Sequence, residues 1–356
     1  MLVTEQNRRP LSVTLFPKFQ HRAGKKIIPL CSKAIHSNYP IKAVQMMSDI
    51  DSDQFHRSLA HFNAKRTAVG IPGMDWEQAL EIEFKFRHAE IAYLEQQRKA
   101  VAFLLPSQYL DADQFLDWFA SLDHIGPGQQ HFVFGWLAEN SSIGDMRWVL
   151  RQEAAGEAGF EDLLAYTQIR LPARPKLECA RNFWDEMGHG KHAAMHGEML
   201  KKMVQGLDLR PSVDTAVWES LALGNTMLGL AISRRYVYQS IGALGVIELT
   251  APGRVKKIAA GMKRLGFDAR MRSYFDLHAA LDVSHASAWM REVIRPLVEE
   301  NLACSRWIAE GALMRLRCGQ QCFDRYAAEL LTGHKWERTT HDLPPSTAIH
   351  SERMRG

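Results

Sequence analysis

The stretch DLHAALDVSH, residues 276–285, decides the fold class because its polar residues recur at helical intervals. His278 and Asp282 are four residues apart, and Asp282 and His285 are three apart, so one face of an α-helix carries all three. The residues between them are mostly small or apolar. A solvated face or a hydrogen-bonded His–Asp pair would explain this pattern. A metal site would explain it too, because each of the three side chains can bind a metal.

Helical periodicity extends over most of the chain. Apolar residues recur at helical intervals in residues 76–104 and in a succession of segments from residue 111 to about residue 331. No run of alternating apolar residues with hairpin turns interrupts them. The pattern predicts an all-α protein with long helices, as in a bundle. Single helices are predicted over residues 145–171, 174–207 and 212–249, the last of them stopped by TAPGR.

The helical segments also suggest a domain organisation. Residues 111–330 contain no linker rich in Gly, Pro or Ser, so residues 106–331 are predicted to form one helical bundle. Residues 1–105 are predicted to be a partly helical N-terminal extension that covers part of the bundle or makes a homodimer contact. Residues 332–356 are predicted to be a loose polar tail.

Composition narrows the function classes. A net charge of +4 over 356 residues does not favour nucleic-acid binding. No segment approaches eighteen consecutive apolar residues, and the first residues lack the layout of a secretion signal, so neither a membrane partner nor secretion is expected. Five scattered cysteines are typical of a reducing cytoplasm rather than of a disulfide framework. We therefore expect a cytoplasmic protein that acts on a small molecule.

A second polar stretch, WDEMGHGKHAAMH at residues 184–196, concentrates carboxylates and imidazoles. Helical bundles build metal sites from such side chains on facing helices, and this ligand type suits iron or manganese. No thiolate accompanies them, which argues against a structural zinc site. Gly188 and Gly190 weaken a helix and suggest a local distortion or close packing. A polar helix with exposed histidines is the competing interpretation.

A third stretch, GALGVIELTAP at residues 242–252, places Glu248 inside an otherwise apolar run. A buried carboxylate is costly unless it meets a cation. The cation would be a metal or, in a structural ion pair, one of Arg234, Arg235 and Arg254.

Together the three stretches resemble the haem-oxygenase-like diiron oxidases and oxygenases, also described as iron-containing redox enzymes. That family has a Glu and a His on one core helix, a Glu on the next, and His-x3-Asp-x2-His on a third. The resemblance covers roughly residues 110–330. It implies a haem-oxygenase-like bundle in which two metal ions are held by six residues: Glu186, His196, Glu248, His278, Asp282 and His285.

The helical register leaves two further candidates open. Glu186 and His196 are ten residues apart, about 80° around an ideal helix. Either the glycine-flanked segment is distorted or Asp185, which aligns better with His196, replaces Glu186. Glu178, seven residues before Asp185, is another candidate.

Other polar and aromatic residues are assigned to structural roles. Glu153, Glu157 and Glu161 follow one another at four-residue steps and are expected on a solvated helix face. Aromatic residues such as Trp184 and Tyr274 are expected in the core, although some can line a substrate pocket.

The resemblance implies an enzyme with two iron ions, or an iron and a manganese ion, that uses O₂ to oxidise a small organic substrate. N-oxygenation, desaturation and carbon–carbon cleavage all remain open as outcomes. One alternative is a haem-binding enzyme of the haem-oxygenase type, although porphyrin iron needs one axial imidazole and no carboxylate cluster. Another is a non-catalytic helical interaction protein.

Overall fold

The computed structural model describes residues 52–71, 73 and 75–331. Within these residues the chain forms helices and no β-strand, so the predicted all-α class is confirmed there. The predicted C-terminal tail and residues 1–51 of the predicted N-terminal extension lie outside the described residues. The α-helices are α1 (Asp53–Thr67), α2 (Trp76–Val101), α3 (Ala112–Ile125), α4 (Phe132–Glu139), α5 (Ile143–Gly156), α6 (Phe160–Thr167), α7 (Ala173–Glu186), α8 (His196–Gly206), α9 (Trp218–Ile232), α10 (Val237–Arg264), α11 (Ala269–Trp289), α12 (Arg295–Glu300) and α13 (Cys304–Leu331).

Side-chain caps fix the starts of several helices. Asp111 and Gln114 form a capping box at α3, and Ser142 and Asp145 form another at α5. At α11, the Asp268 side chain accepts a hydrogen bond from a backbone N–H of the first turn. These contacts satisfy N–H groups that have no partner inside the helix. The side chain of Asp268 therefore fixes the start of α11, the helix that carries His278, Asp282 and His285.

Helix α10 lies at the centre of the bundle, packed against α11, α13 and α4. Most of its first half is buried. It crosses α13 so closely that a Cβ atom on Gly242 would collide with the carbonyl oxygen of Ile308, and one on Gly311 would collide with that of Gln239. Close packing on several faces fixes the position of Glu248, which α10 carries.

The first two described helices pack into the same core. Phe55 and Leu59 of α1 and Tyr93 of α2 are buried in a cluster shared with α9, α10 and α13. The Tyr93 hydroxyl lies 2.9 Å from the Thr226 hydroxyl of α9. The predicted boundary near residue 105 stays a prediction, but residues of α1 and α2 contribute to the core of the bundle.

Several predicted helix boundaries are wrong. The segments 145–171, 174–207 and 212–249 are each broken, because the chain turns after α5, α7 and α9 instead of continuing. The predicted stop at TAPGR is also wrong: α10 runs through Pro252 to Arg264. Proline removes one backbone N–H from a helix, but burial against neighbouring helices keeps α10 helical there.

One wider helical turn follows the end of α11, the helix that carries His278, Asp282 and His285. Residues 290–294 form a π-helical turn between α11 and α12. Trp289, fully buried, immediately precedes this turn and donates its indole N–H to the carbonyl oxygen of Ile241 at 3.1 Å. Such turns re-aim side chains within a continuous helix. No helix among the described residues is long and apolar enough to cross a lipid bilayer.

Candidate metal centre

The structure brings the six predicted ligands together in two adjacent groups. The first triad is Glu186, His196 and His278, and the second triad is Glu248, Asp282 and His285. Within each triad, one ligand atom from every side chain lies within 4.8 Å of the others. All six residues are buried except His278, which is partly buried. Four helices, α7, α8, α10 and α11, supply them.

A chain reversal between α7 and α8 forms part of the first triad. Gly188, His189 and Gly190 all have positive φ angles of 59°, 52° and 78°. This left-handed conformation turns the chain back on itself and suits glycine at two of the three positions. As a result, Glu186 at the end of α7 meets His196 at the start of α8, with Oε2 and Nδ1 2.7 Å apart. The glycine-flanked distortion is therefore present.

Helix α11 presents its three polar residues toward the same interior point. Nδ1–H of His278 donates to the carbonyl oxygen of Tyr274 at 2.7 Å, one turn earlier. Because a carbonyl oxygen can only accept, this bond places the proton on Nδ1 and leaves Nε2 as the available ligand atom. The ring of His278 packs edge-on against that of His196, with centroids 4.7 Å apart.

Glu248 has none of the arginine partners that the sequence left open. Arg254 pairs with Glu153, and Arg235 lies 3.3 Å from Glu95. Arg234 donates to the carbonyl oxygen of Thr167 at 3.0 Å.

The contacts of Glu248 come instead from the site itself. Its Oε1 accepts a hydrogen bond from Asn182 at 2.7 Å, and its Oε2 lies 3.5 Å from Nδ1 of His285. Within the described part of the chain, Glu248 thus contacts no lysine or arginine, and its one ion-pair contact is with His285.

The two secondary candidates lie beside the triads rather than in them. Asp185 Oδ2 lies 3.1 Å from Nε2 of His285, and its other oxygen lies 3.1 Å from Nε2 of His189. Asp185 is therefore placed to orient the ring of His285 from behind, as second-layer carboxylates do for metal-bound histidines. Glu178 is buried and lies 2.7 Å from Arg181.

Burial makes the carboxylates of this cluster costly to ionise. It raises the pKa of Asp282, and the neighbouring carboxylates of Glu248 and Glu186 raise it further. Burial also raises the pKa of Glu186, although His196 offsets part of this effect. Several buried carboxyl groups at close quarters hold protons unless a cation neutralises them.

The imidazoles divide by environment. Burial lowers the pKa of His278 to about 4, so this ring is neutral at pH 7. Burial alone would also lower the pKa of His285, but the carboxylates of Glu248 and Asp185 outweigh it and raise the pKa above its usual value. The two ring nitrogens of His285 thus each face a carboxylate, Nε2 that of Asp185 and Nδ1 that of Glu248.

The hydrogen-bond inventory tests whether a metal fits these residues. Nδ1 of His196 and Nδ1 of His285 are buried, and neither makes a well-aligned hydrogen bond, although carboxylate oxygens lie nearby. Buried polar atoms are rarely left in this state. A metal ion accepts lone pairs that converge without hydrogens between them, so the donor set fits one. Imidazole and carboxylate donors suit iron or manganese.

A cavity opens beside the candidate ligands. Its volume open to water-sized molecules is about 120 Å³. Four of the six candidates line it, namely Glu186, Glu248, His278 and Asp282, among mostly apolar neighbours from α5, α8, α9 and α10.

Sequence reasoning missed several residues of this site. Tyr274, expected in the core, lines the cavity, and burial raises the pKa of its hydroxyl, as do the carboxylates of Glu157 and Glu186. The expected solvated face is wrong for Glu153, which is only partly exposed and lines the cavity. Glu157 is exposed as expected, although it also lines the cavity. Trp184 lies at the surface, 52% exposed. The helical register pointed to Asp185, and the structure places its carboxylate in contact with His285, outside both triads.

Part of the chain matches a known protein family. Residues 147–320 match the family described as iron-containing redox enzymes. Two crystal structures of a CADD-like protein of unknown function from Nostoc punctiforme are similar to the chain. Both share 16% identity; the TM-scores are 0.48 and 0.49, and the matches cover 62% and 63% of this chain and 98% and 97% of that one. No curated protein matches.

The matched segment includes both triads and the helices that carry them. Residues 147–320 are thus similar to the iron-containing redox enzymes, and the described residues have a haem-oxygenase-like helical fold.

Proposed function

We propose that the protein is a non-haem diiron oxidoreductase that uses O₂ to oxidise a small organic substrate. The observation that carries this proposal is the meeting of two carboxylate–imidazole triads beside one cavity, with two buried imidazole nitrogens that face carboxylate oxygens without a well-aligned hydrogen bond. Such a set of ligands would hold two divalent ions, one at each triad. The match of residues 147–320 to the iron-containing redox enzymes supports iron, and a mixed iron–manganese pair is compatible with the same donors.

The two ions would supply the electron-transfer chemistry with O₂, and the chain would supply position and environment. The carbonyl of Tyr274 fixes the tautomer of His278, and Asp185 holds the ring of His285. Asn182 orients the carboxylate of Glu248 through a 2.7 Å hydrogen bond. The mostly apolar cavity would bind the substrate beside the ions and limit the entry of water.

The geometry favours non-haem ions over haem. A porphyrin needs an axial imidazole with open space in front of its free nitrogen. In front of Nδ1 of His196 lies the Glu186 carboxylate at 2.7 Å, and in front of Nδ1 of His285 lies that of Glu248 at 3.5 Å. An absorption spectrum of the purified protein without a Soret band is the expected result.

Metal analysis tests the proposal against a non-catalytic interaction protein. Anaerobic loading of wild type with ferrous iron is expected to give two ions per chain, and His278→Ala and Glu248→Ala are each expected to bind fewer. His192→Ala is the matched control because this imidazole is exposed and lies in the turn between α7 and α8. Equal iron content in wild type and both ligand variants would rule out the proposed centre. Oxygen uptake by the loaded wild type then tests the use of O₂.

A further inference from the structure

The cavity beside the triads adjoins a second cavity of about 210 Å³. Four residues line both of them: Ile247, Ala251, Arg254 and Arg315. The two spaces therefore meet at a wall that includes two guanidinium groups, one from α10 and one from α13. A molecule in the first cavity would therefore face both guanidinium groups in the cavity lining.

The guanidinium group of Arg254 has an anionic partner and aromatic neighbours. Nη1 of Arg254 lies 2.5 Å from Oε2 of Glu153. The same guanidinium lies over the rings of Phe134 and Phe323, 5.7 and 5.8 Å from their centroids. Both contacts stabilise a cation that is largely removed from water. Arg254 thus has a structural reason for its position.

The other guanidinium has no such partner. Nε of Arg315 is buried without a hydrogen bond, and Arg315 forms no ion pair within the described part of the chain. Burial lowers its pKa, and the positive charge of Arg254 lowers it further. The carboxylate of Glu153, which pairs with Arg254, offsets part of this lowering of the pKa. A cation taken out of water without an anion is costly, and a bound anion would remove that cost.

The charge of the second cavity points the same way. Lys257 joins Arg254 and Arg315 in its lining, whereas Asp123 is the one carboxylate there among the described residues. Asp123 lies 3.8 Å from His124. Among the described residues, the lining of the second cavity therefore carries more cations than carboxylates, and two of these cations also line the first cavity.

We propose that Arg315 binds an oxyanion group, a carboxylate or a phosphate-type group, of the small organic molecule that occupies the first cavity. The guanidinium presents a planar set of donors that matches two oxygens of such a group. The apolar lining of the first cavity would hold the rest of the molecule. This proposal rests on the proposed function for naming the ligand a substrate, but the binding site itself requires no metal.

Binding of defined probes to the full-length chain tests the proposal. The probes are butanoate, propylphosphonate and the neutral butanamide, measured by calorimetry on iron-loaded and on chelator-treated protein. At least one anion is expected to bind about tenfold more tightly than the amide in both preparations. Equal binding of the amide would overturn the proposal. Anion binding that disappears with the metal would also overturn it, because the ions rather than Arg315 would then hold the anion.

Variants assign the site to its residue. Arg315→Met is expected to weaken anion binding by about tenfold or more, since it removes the charge and the planar donors. The matched control is Arg317→Gln, because Arg317 lies on the same helix and bonds to Gln97 and Gln321 instead of lining either cavity. If Arg315→Met does not fold, Arg315→Lys gives the measurement and is expected to bind more weakly than wild type. Wild-type affinity in the substituted protein would contradict the assignment.

The two proposals fail in different ways. Anion binding that depends on Arg315 in a protein that takes up no iron would remove the diiron function and leave the oxyanion site in place. Two iron ions per chain, with no preference for the anions, would do the reverse.

Discussion

Asp185 lies outside both triads but contacts a histidine of the second one. Its carboxylate contacts His285 on one side and His189 on the other, at 3.1 Å each. The contact with His285 fixes which ring nitrogen faces Glu248, so the second triad depends on a side chain outside it.

Asp185→Asn is expected to weaken iron binding by about 10- to 100-fold, because an amide orients an imidazole less strongly than a carboxylate does. Competition with a chelator of known affinity measures the change. His189→Ala is the matched control: it removes the outer contact of Asp185 and keeps the inner one. An unchanged affinity in Asp185→Asn would show that Asp185 does not support a metal-bound histidine.

Asp282→Ala is expected to fold and to lose at least one of two iron ions per chain, since Asp282 belongs to the second triad. Anaerobic ferrous titration gives the stoichiometry, and circular dichroism checks the fold. Asp276→Ala, on the same helix but exposed and 3.6 Å from Arg272, is the control. Equal stoichiometry in the Asp282 variant and in wild type contradicts the ligand assignment.

The two arginines of the cavity wall are expected to differ in their effect on stability. Arg254→Met leaves Glu153 without its partner and is expected to lower the free energy of unfolding by about 2 kcal/mol, reduced from the fully buried case by partial exposure. Arg315→Met removes a cation without a partner and is expected to cost less. Chemical denaturation measures both values. A larger loss in Arg315→Met would mean that Arg315 is held by the fold itself.

At the scale of elements, the crossing of α10 and α11 sets the distance between Glu248 and the histidines. A Cβ atom on Gly245 would lie 2.5 Å from two ring atoms of Trp289, which is fully buried. Gly245 lies three residues before Glu248, and Trp289 four residues after His285. A bulkier residue at this contact must therefore push the two helices apart beside the second triad.

Gly245→Ala is expected to lower the free energy of unfolding by about 1–3 kcal/mol and to weaken iron binding. The control on the same helix is Gly253→Ala, which has nothing within 4 Å of the new Cβ and is expected to gain about 0.5–1 kcal/mol. Denaturation and iron titration of both variants separate a helix effect from a contact effect. A Gly245 variant as stable as the Gly253 variant would contradict the close packing.

Helix existence could be predicted from the sequence, whereas helix breaks could not. Gly188 and Gly190 signalled a distortion, but only the positive φ angles show a complete chain reversal that selects Glu186 over Asp185. Pro252 signalled a stop that does not occur, because tertiary packing of α10 outweighs the loss of one backbone hydrogen bond. Local signals mark such places without fixing which outcome prevails.

At the scale of the whole molecule, the two triads join four helices that come from distant parts of the chain. The regular spacing on α11 predicted three of the six residues on one helix face. The resemblance to a known family predicted that the other three would join them. The wall formed by Arg254 and Arg315 could not be predicted in this way. These residues come from helices without a shared motif and meet only through packing.

Metal binding is expected to stabilise the assembled bundle, because ions held by α7, α8, α10 and α11 bind the folded chain and not the unfolded one. Addition of ferrous iron to chelator-treated protein at about 100 times the dissociation constant should contribute about 2.7 kcal/mol per site. Calorimetric melting under anaerobic conditions measures this, with Ca²⁺ as the control ion. A melting temperature that does not respond to iron contradicts a centre that joins these helices.

Anomalous diffraction from crystals of the iron-loaded protein tests the central claim most directly. Data collected above and below the iron absorption edge are predicted to show two peaks roughly 3.5–4 Å apart, one in contact with each triad. A single peak, or peaks away from these side chains, would contradict the proposed centre.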